Sequence, residues 1–210
     1  NALVELIGKT QDKDTLKYVA ESLGKIGIGN QRAINALVEL IGKTQDKDTL
    51  KYVAESLGKI DIGNQVAINA LVDLMSNTQS NGYELRIVAE SLDKIGIGNQ
   101  VAINALVDFM SNMQDEEERR YVAESLAKIG IGNQVAINAL VDFMSNTQDE
   151  YEREGISDSL ESILTTPGLI LEVVKRFKNC SKFFPSSSYS VIWYCAQSLT
   201  YPEFYQAWHN

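Results

Sequence analysis

Three groups of residues have types and spacings that can do chemistry. Gly27-Ile28-Gly29-Asn30 sets glycines ahead of a helix start, where free N–H groups can cradle a phosphate. The context does not sustain that reading: no strand-like run precedes it, no third glycine follows, the same turn recurs along the chain, and G-x-x-x-x-G-K-[ST] is absent. His209, the only histidine, and Cys180 and Cys195 are the residues for nucleophilic or metal work. A catalytic histidine needs a third group and a walled pocket, which a chain end rarely supplies, and two distant cysteines make neither a zinc pattern nor a disulfide framework. The run Asp115-Glu116-Glu117-Glu118 lacks the spacing and the glycine of a calcium loop and reads as the start of a helix, where negative charge suits the dipole. The other carboxylates fall in exposed rows, where nothing desolvates them for acid-base work. The expectation is a non-enzyme with no cofactor and no metal.

What positions these residues is a repeat. N-A-L-V returns at Asn1, Asn35, Asn69, Asn104 and Asn138, and V-A-E-S-L at Val19, Val53, Val88 and Val122, a period of 34 residues with one of 35. Such periods mark a solenoid, because each unit buries its apolar face only when a neighbour stacks on it. The fold class is therefore all-α, a right-handed α-solenoid of helical hairpins. Residues 1–163 form about five units, the first truncated and the last degenerate, and 164–210 form a helical, aromatic-rich C-terminal cap. The chain opens in the middle of a unit, which suggests a piece of something longer.

Each unit reads as two helices. In the second copy Asn30 is an N-cap, and Ala33, Ile34, Leu37, Val38 and Ile41 make one apolar face of a helix over 31–43, with Asn35, Glu39 and Lys43 opposite. Thr44 to Lys47 turn the chain, and Asp48 or Thr49 starts a second helix with Leu50, Val53, Ala54, Leu57 and Ile60 inward. Lys51, Tyr52, Glu55 and Lys59 point outward. Gly27, Gly29 and their equivalents break each second helix and let the next unit start.

The outward residues of the second helices line up from unit to unit. Lys17, Lys51, Arg86 and Arg120 share one position, Glu21, Glu55, Glu90 and Glu124 lie four residues on, and Tyr18, Tyr52, Ile87 and Tyr121 run beside them. Pairs at i,i+4 give a helix only a few tenths of a kcal/mol, so solvation and pairing between units is one reading of the rows. The sharper reading is a protein-binding surface, since tyrosine and arginine carry binding energy at interfaces. Its residues are Lys17, Tyr18, Lys51, Tyr52, Glu55, Arg86, Glu90, Arg120, Tyr121 and Glu124.

The first two units differ only at Gly27/Asp61 and Arg32/Val66. A repeated unit extends a binding surface without redesign, which favours recognition over catalysis. The third unit holds its extra residue in Ser80-Asn81-Gly82, a wider turn. The fifth decays in its second helix but keeps Ile156, Leu160 and Ile163 for the core. Thr166-Pro167 then opens a helix with Leu169, Ile170, Val173, Val174 and Phe177 apolar, Pro185 and Ser186 open another with Val191, Ile192, Cys195 and Leu199 inward, and Pro202 starts a last one ending at His209. Phe183, Phe184, Tyr189, Trp193, Tyr194, Tyr201, Phe204, Tyr205 and Trp208 crowd this segment, as a cap over an open end or as a docking patch.

Charge narrows the partners. Residues 1–154 hold 24 acidic side chains against 15 basic, and the net charge of the whole chain is -9. An acidic surface opposes phosphate neutralisation, which argues against nucleic acid. No apolar run approaches the ~18 residues of a membrane span, so a cytoplasmic protein is expected.

The motif A-I-N-A-L-V-E-L-I followed by L-K-Y-V-A-E-S-L-G-K-I-G resembles the HEAT repeat of the bilin-lyase-like subclass, written A-I-P-A-L-x-x-L-L and V-R-x-x-A-A-x-A-L-G-x-I-G. It departs at Asn35, Asn69, Asn104 and Asn138, where proline is usual, and at Lys17 and Lys51, where arginine is usual. The ending W-Y-C-A-Q-S-L-T-Y-P-E-F-Y-Q-A-W-H, Trp193 to His209, resembles the C-terminal tail of cyanobacterial NACHT-type signalling NTPases with HEAT-like repeats. The resemblance implies a sensor or regulatory arm of such an NTPase, binding a protein and linked to upstream domains. The rivals are a bilin lyase or isomerase subunit, whose tetrapyrrole cavity these regular rows do not suggest, and a structural spacer.

Overall fold

The protein is described by a computed structural model covering residues 2–77, 82–113, 115–179 and 188–209. Among these residues there are thirteen α-helices and no strand: α1 (Ala2–Lys9), α2 (Lys13–Ile26), α3 (Gln31–Lys43), α4 (Lys47–Leu57), α5 (Gln65–Asn77), α6 (Gly82–Ile95), α7 (Gln100–Asn112), α8 (Glu116–Ile129), α9 (Gln134–Asn146), α10 (Glu150–Ile163), α11 (Pro167–Asn179), α12 (Ser188–Ser198) and α13 (Tyr201–His209). The chain divides into two compact units, residues 1–105 and 106–210.

In the first unit, α1, α3 and α5 are first helices of hairpins and pack on one another, while α2, α4 and α6 are second helices and do the same. The apolar periodicity explains the layering: Ala33, Ile34, Leu37 and Leu40 of α3 and Val53, Ala54 and Leu57 of α4 are all within 2% of full burial. The first helix begins where the sequence places it, because the Asn30 carboxamide accepts from Arg32 N–H and Ala33 N–H at 3.2 and 3.3 Å. The second helix begins earlier than expected. Asp46, not Asp48 or Thr49, is its cap, accepting from the amide and the hydroxyl of Thr49 at 3.0 and 2.7 Å. Asp12 caps α2 in the same way through Thr15.

Between hairpins the chain turns through a glycine at positive φ, 69° at Gly29 and 79° at Gly63, a conformation a side chain would strain. The Gly63 amide donates 2.7 Å to the Ile95 carbonyl of the following hairpin, joining neighbours by backbone. Where the near-identical units differ, the joint differs too. Gly27 has no room for a Cβ, which would lie 2.7 Å from the Leu23 carbonyl oxygen. Asp61, in that position one unit on, comes with an early end to α4: Lys59 and Ile60 bond three residues back, and the Asp61 carboxylate takes the Gly29 N–H at 2.9 Å.

In the second unit α8, α10 and α12 stack as second helices, α9 and α11 as first ones, and α13 packs on both α11 and α12. The hairpin alternation thus runs on through the residues after 163. Ile156, Leu160 and Ile163 are fully buried, as are Val173, Val191 and Cys195. The Gly132 amide donates 3.0 Å to the Ile163 carbonyl, repeating the joint seen at Gly63. Asp115 caps α8 and places Glu116, Glu117 and Glu118 in its first turn, as the acidic run predicts. Thr166 caps α11 with Pro167 first in the helix. The last helix starts at Tyr201, one residue before the predicted Pro202. Glu203 reaches back to the start of this helix, accepting from the Thr200 N–H and hydroxyl at 3.0 and 2.6 Å. The expected turn at Ser80-Asn81, the helix opening at Pro185 and Ser186, and Cys180, Phe183 and Phe184 lie outside the described residues.

Candidate partner-binding face on the second helices

The second helices of the first unit come unusually close. A Cβ at Gly24 would lie 2.9 Å from Ser56 Cα, and one at Gly58 the same distance from Ser91 Cα. Glycine on one helix and a buried serine on the next bring the backbones together, so the outward rows of α2, α4 and α6 form one continuous surface.

Lys17 is half-buried on that surface, 3.6 Å from Asp14 on its own helix and 3.5 Å from Asp48 on α4. Partial burial of the stem works against its charge, but Asp48, Asp14 and Asp46 outweigh that and hold the ammonium above its ordinary pKa. Lys51, Tyr52, Glu55 and Glu90 are half-buried, and Arg86 Nε meets Glu90 at 2.7 Å. Tyr18 is 73% exposed. Ile87 departs from the expectation. It stands in the tyrosine row but is 6% exposed, since an aliphatic side chain there turns into the core while a tyrosine keeps its hydroxyl in water.

In the second unit Arg120, Tyr121 and Glu124 are half-buried on α8. The Arg120 guanidinium carbon lies 5.2 Å from the Tyr121 ring centre and 4.8 Å from that of Tyr151 on α10, and Nη1 donates to the Tyr151 hydroxyl at 3.0 Å. Gly155 makes room for it: a Cβ there would meet Arg120 Cγ and Cδ at 2.6 Å. Tyr151 and Gly155 were not singled out from the sequence. The available signal was that Gly155 takes the position of Tyr121, and Glu154 that of Arg120, one unit later.

An ion pair with a buried carboxylate joins α8 to α10. Arg119 Nε lies 2.7 Å from Glu152 Oε1, and the Glu152 side chain is 1% exposed. The Thr147 hydroxyl donates to Glu152, and Arg153, also buried, donates to the Thr147 carbonyl. The sequence places carboxylates only in exposed rows; Glu152 is buried, and there Arg119 and the Thr147 hydroxyl meet it. Beside this clamp lies a depression of about 500 Å³ lined by Arg120, Glu124, Lys128, Gly155 and Asp158, among others. The serines at its floor are committed to the backbone: Ser159 donates to the Gly155 carbonyl and Ser162 to that of Ser159.

Residues considered for nucleophilic chemistry are placed elsewhere. Burial, and secondarily Glu161, pushes the Cys195 thiol up to about 12. His209, exposed at the end of α13, rests 4.3 Å from the Tyr205 ring, centre to centre. Burial likewise raises the Glu161 carboxyl.

Comparison with known proteins agrees with this architecture. The family model described as HEAT repeats matches residues 1–93, and the one described as NACHT C-terminal Cysteine and Histidine-containing matches residues 174–209. The chain is an all-α solenoid, and its likeness to HEAT repeats covers residues 1–93. Its C-terminal segment, with Cys195 and His209, is similar to the NACHT C-terminal model. No curated protein matches. A solved chain described as "Computational Design of Self-Assembling Cyclic Protein Homooligomers" aligns over 98% of this chain and 72% of its own at 15% identity, with a TM-score of 0.19. No helix among the described residues is long and apolar enough to cross a membrane.

Proposed function

We propose that the chain is the recognition arm of a larger NACHT-type NTPase, a non-catalytic module that captures a protein partner on the outward face of its second helices. The observation that carries this is the Arg120 arrangement: an arginine held over Tyr121 and Tyr151 by a glycine beneath it is a pre-set, half-buried anchor of the kind that dominates protein interfaces. Tyr121 and Glu124 flank Arg120 on α8, and Lys17, Tyr18, Lys51, Tyr52, Glu55, Arg86 and Glu90 form the corresponding face of α2, α4 and α6 in the first unit. The two family matches support the placement in a NACHT protein, and HEAT repeats commonly serve as protein-binding surfaces.

The test is site-specific photo-crosslinking in the natural polypeptide. A crosslinker at Tyr18 or Tyr121 gives a discrete protein adduct, while one at the exposed turn residue Gln45 does not, and Tyr52→Ala with Arg86→Ala removes the adduct without shifting thermal unfolding. Equal adducts at Gln45, or an adduct indifferent to the double substitution, would refute the assignment.

A further inference from the structure

Arg176 on α11 reaches over α9, Nη1 donating to Asn138 Oδ1 and Nη2 to Asp142 Oδ1. One guanidinium spans a carboxamide and a carboxylate four residues apart on one helix face, as a planar fork can and an ammonium cannot. The carboxamide is oriented from behind: Gln134 Nε2 donates to the same Asn138 Oδ1 at 3.0 Å. Fixing the amide this way keeps its oxygen, the acceptor, toward the arginine.

The first unit carries the same receptor without an arginine in it. On α5, Gln65 donates to Asn69 Oδ1 at 2.7 Å, and Asp73 follows four residues later. Both Asn69 and Asp73 are exposed, and the Asp73 carboxylate makes no hydrogen bond or ion pair among the described residues. On neighbouring α3, Gln31 orients Asn35 at 2.8 Å, though there Glu39 is taken by Lys43. Helices α9 and α11 are both thirteen residues long, and aligning them puts Phe143 where Arg176 stands; the same position holds Leu40 and Leu74 on α3 and α5. The first unit therefore has no arginine of its own for this role.

We propose that the Asn69–Asp73 pair is a receptor for an arginine side chain supplied by a partner protein. Val66, one turn before Asn69 and 41% exposed, receives the methylene stem, and the excess of acidic residues over 1–154 favours a cationic segment. Because first helices stack at about 8–10 Å, a segment in the polyproline-II conformation, with three residues per turn, puts arginines at every third residue on one face about 9 Å apart and reaches Asn69 and Asn35 together. This face is distinct from the second-helix rows and does not depend on them.

The probe is a fluorescein-labelled twelve-residue peptide with arginine at every third position on a glycine-serine background, compared with its lysine counterpart by anisotropy at physiological salt. The arginine peptide is expected to bind at least about fivefold more tightly than the lysine one, and Asp73→Asn or Asn69→Ala to remove that advantage. Glu117→Gln, an exposed carboxylate in the other unit, is expected to change neither affinity. Equal binding of the two peptides, no binding of either, or an effect of Glu117→Gln as large as that of Asp73→Asn would overturn the proposal. Circular dichroism of each variant establishes that it is folded.

Discussion

Gly155 lies directly beneath Arg120: a Cβ on the glycine would stand 2.6 Å from both Cγ and Cδ of the arginine. The contact is with a flexible side chain, so an alanine displaces the arginine instead of the helix. Gly155→Ala also removes a helix-interior glycine, which favours α10 by up to about 1 kcal/mol. The expected result is a melting temperature equal to or above that of the parent, with loss of the Tyr121 adduct. A melting temperature several degrees lower would mean that the Arg120–Tyr151 contact stabilises the fold and is not chiefly a binding device.

Gly24 makes the opposite case. Its neighbour is the Ser56 backbone, which cannot rotate away, so Gly24→Ala forces α2 and α4 apart and costs about 1–3 kcal/mol. Gly42 on α3 has nothing within 4 Å of an added Cβ, and Gly42→Ala is expected to raise stability by about 0.5–1 kcal/mol. Urea unfolding of the two variants side by side decides the matter, and a neutral Gly24→Ala would contradict the close approach of the helices.

These glycines show what could be read from sequence. Helix α3 was legible to both ends because cap, apolar period and basic last turn agree there. The start of α4 was not, because Thr44-Gln45-Asp46-Lys47-Asp48-Thr49 offers two aspartates, and only the spacing of Asp46 to Thr49 fits a cap bond to an N3 amide. The rows of the binding face followed from the 34-residue period, but their internal state did not. Lys17 is held by Asp48 of the next hairpin, and Ile87 is buried, through contacts made only when hairpins stack. Tyr151, Gly155 and the Arg176 receptor went unread because they sit where the repeat consensus fades, so departures that create a contact resembled decay.

Asp46 links capping to pH. Lys13, 2.7 Å away, and Thr49 hold its carboxyl at about 2, below the ordinary 3.8. A lowered folded-state value means the contribution is complete above the ordinary value and is lost as pH falls from about 4 toward 2. Asp46→Asn keeps a capping oxygen but loses the charge. It is expected to be less stable than the parent at pH 7 by under about 1 kcal/mol, since Lys13 is largely exposed, and to match it near pH 2. Asp46→Ala loses the cap as well, about 1 kcal/mol more. A parent–Asn difference that persists unchanged to pH 2 would show that the carboxylate charge is not what stabilises this turn.

Cys195 tests whether the C-terminal segment hides a reactive thiol. It is fully buried, and with its thiol raised to about 12 only about one part in ten thousand is thiolate at pH 8, the form that attacks a disulfide reagent. In a Cys180→Ser background, labelling by a chromogenic disulfide is therefore expected to be slower than in the urea-unfolded chain by several orders of magnitude, and to occur only when α12 opens. Glu161→Gln removes a neighbouring carboxylate that raises the thiol, so it shifts the pH dependence of labelling downward even if packing is retained. Complete labelling of the native protein within seconds would place the thiol at the surface and reopen a cysteine-based activity for this segment, against the reading of Cys195 as a core residue.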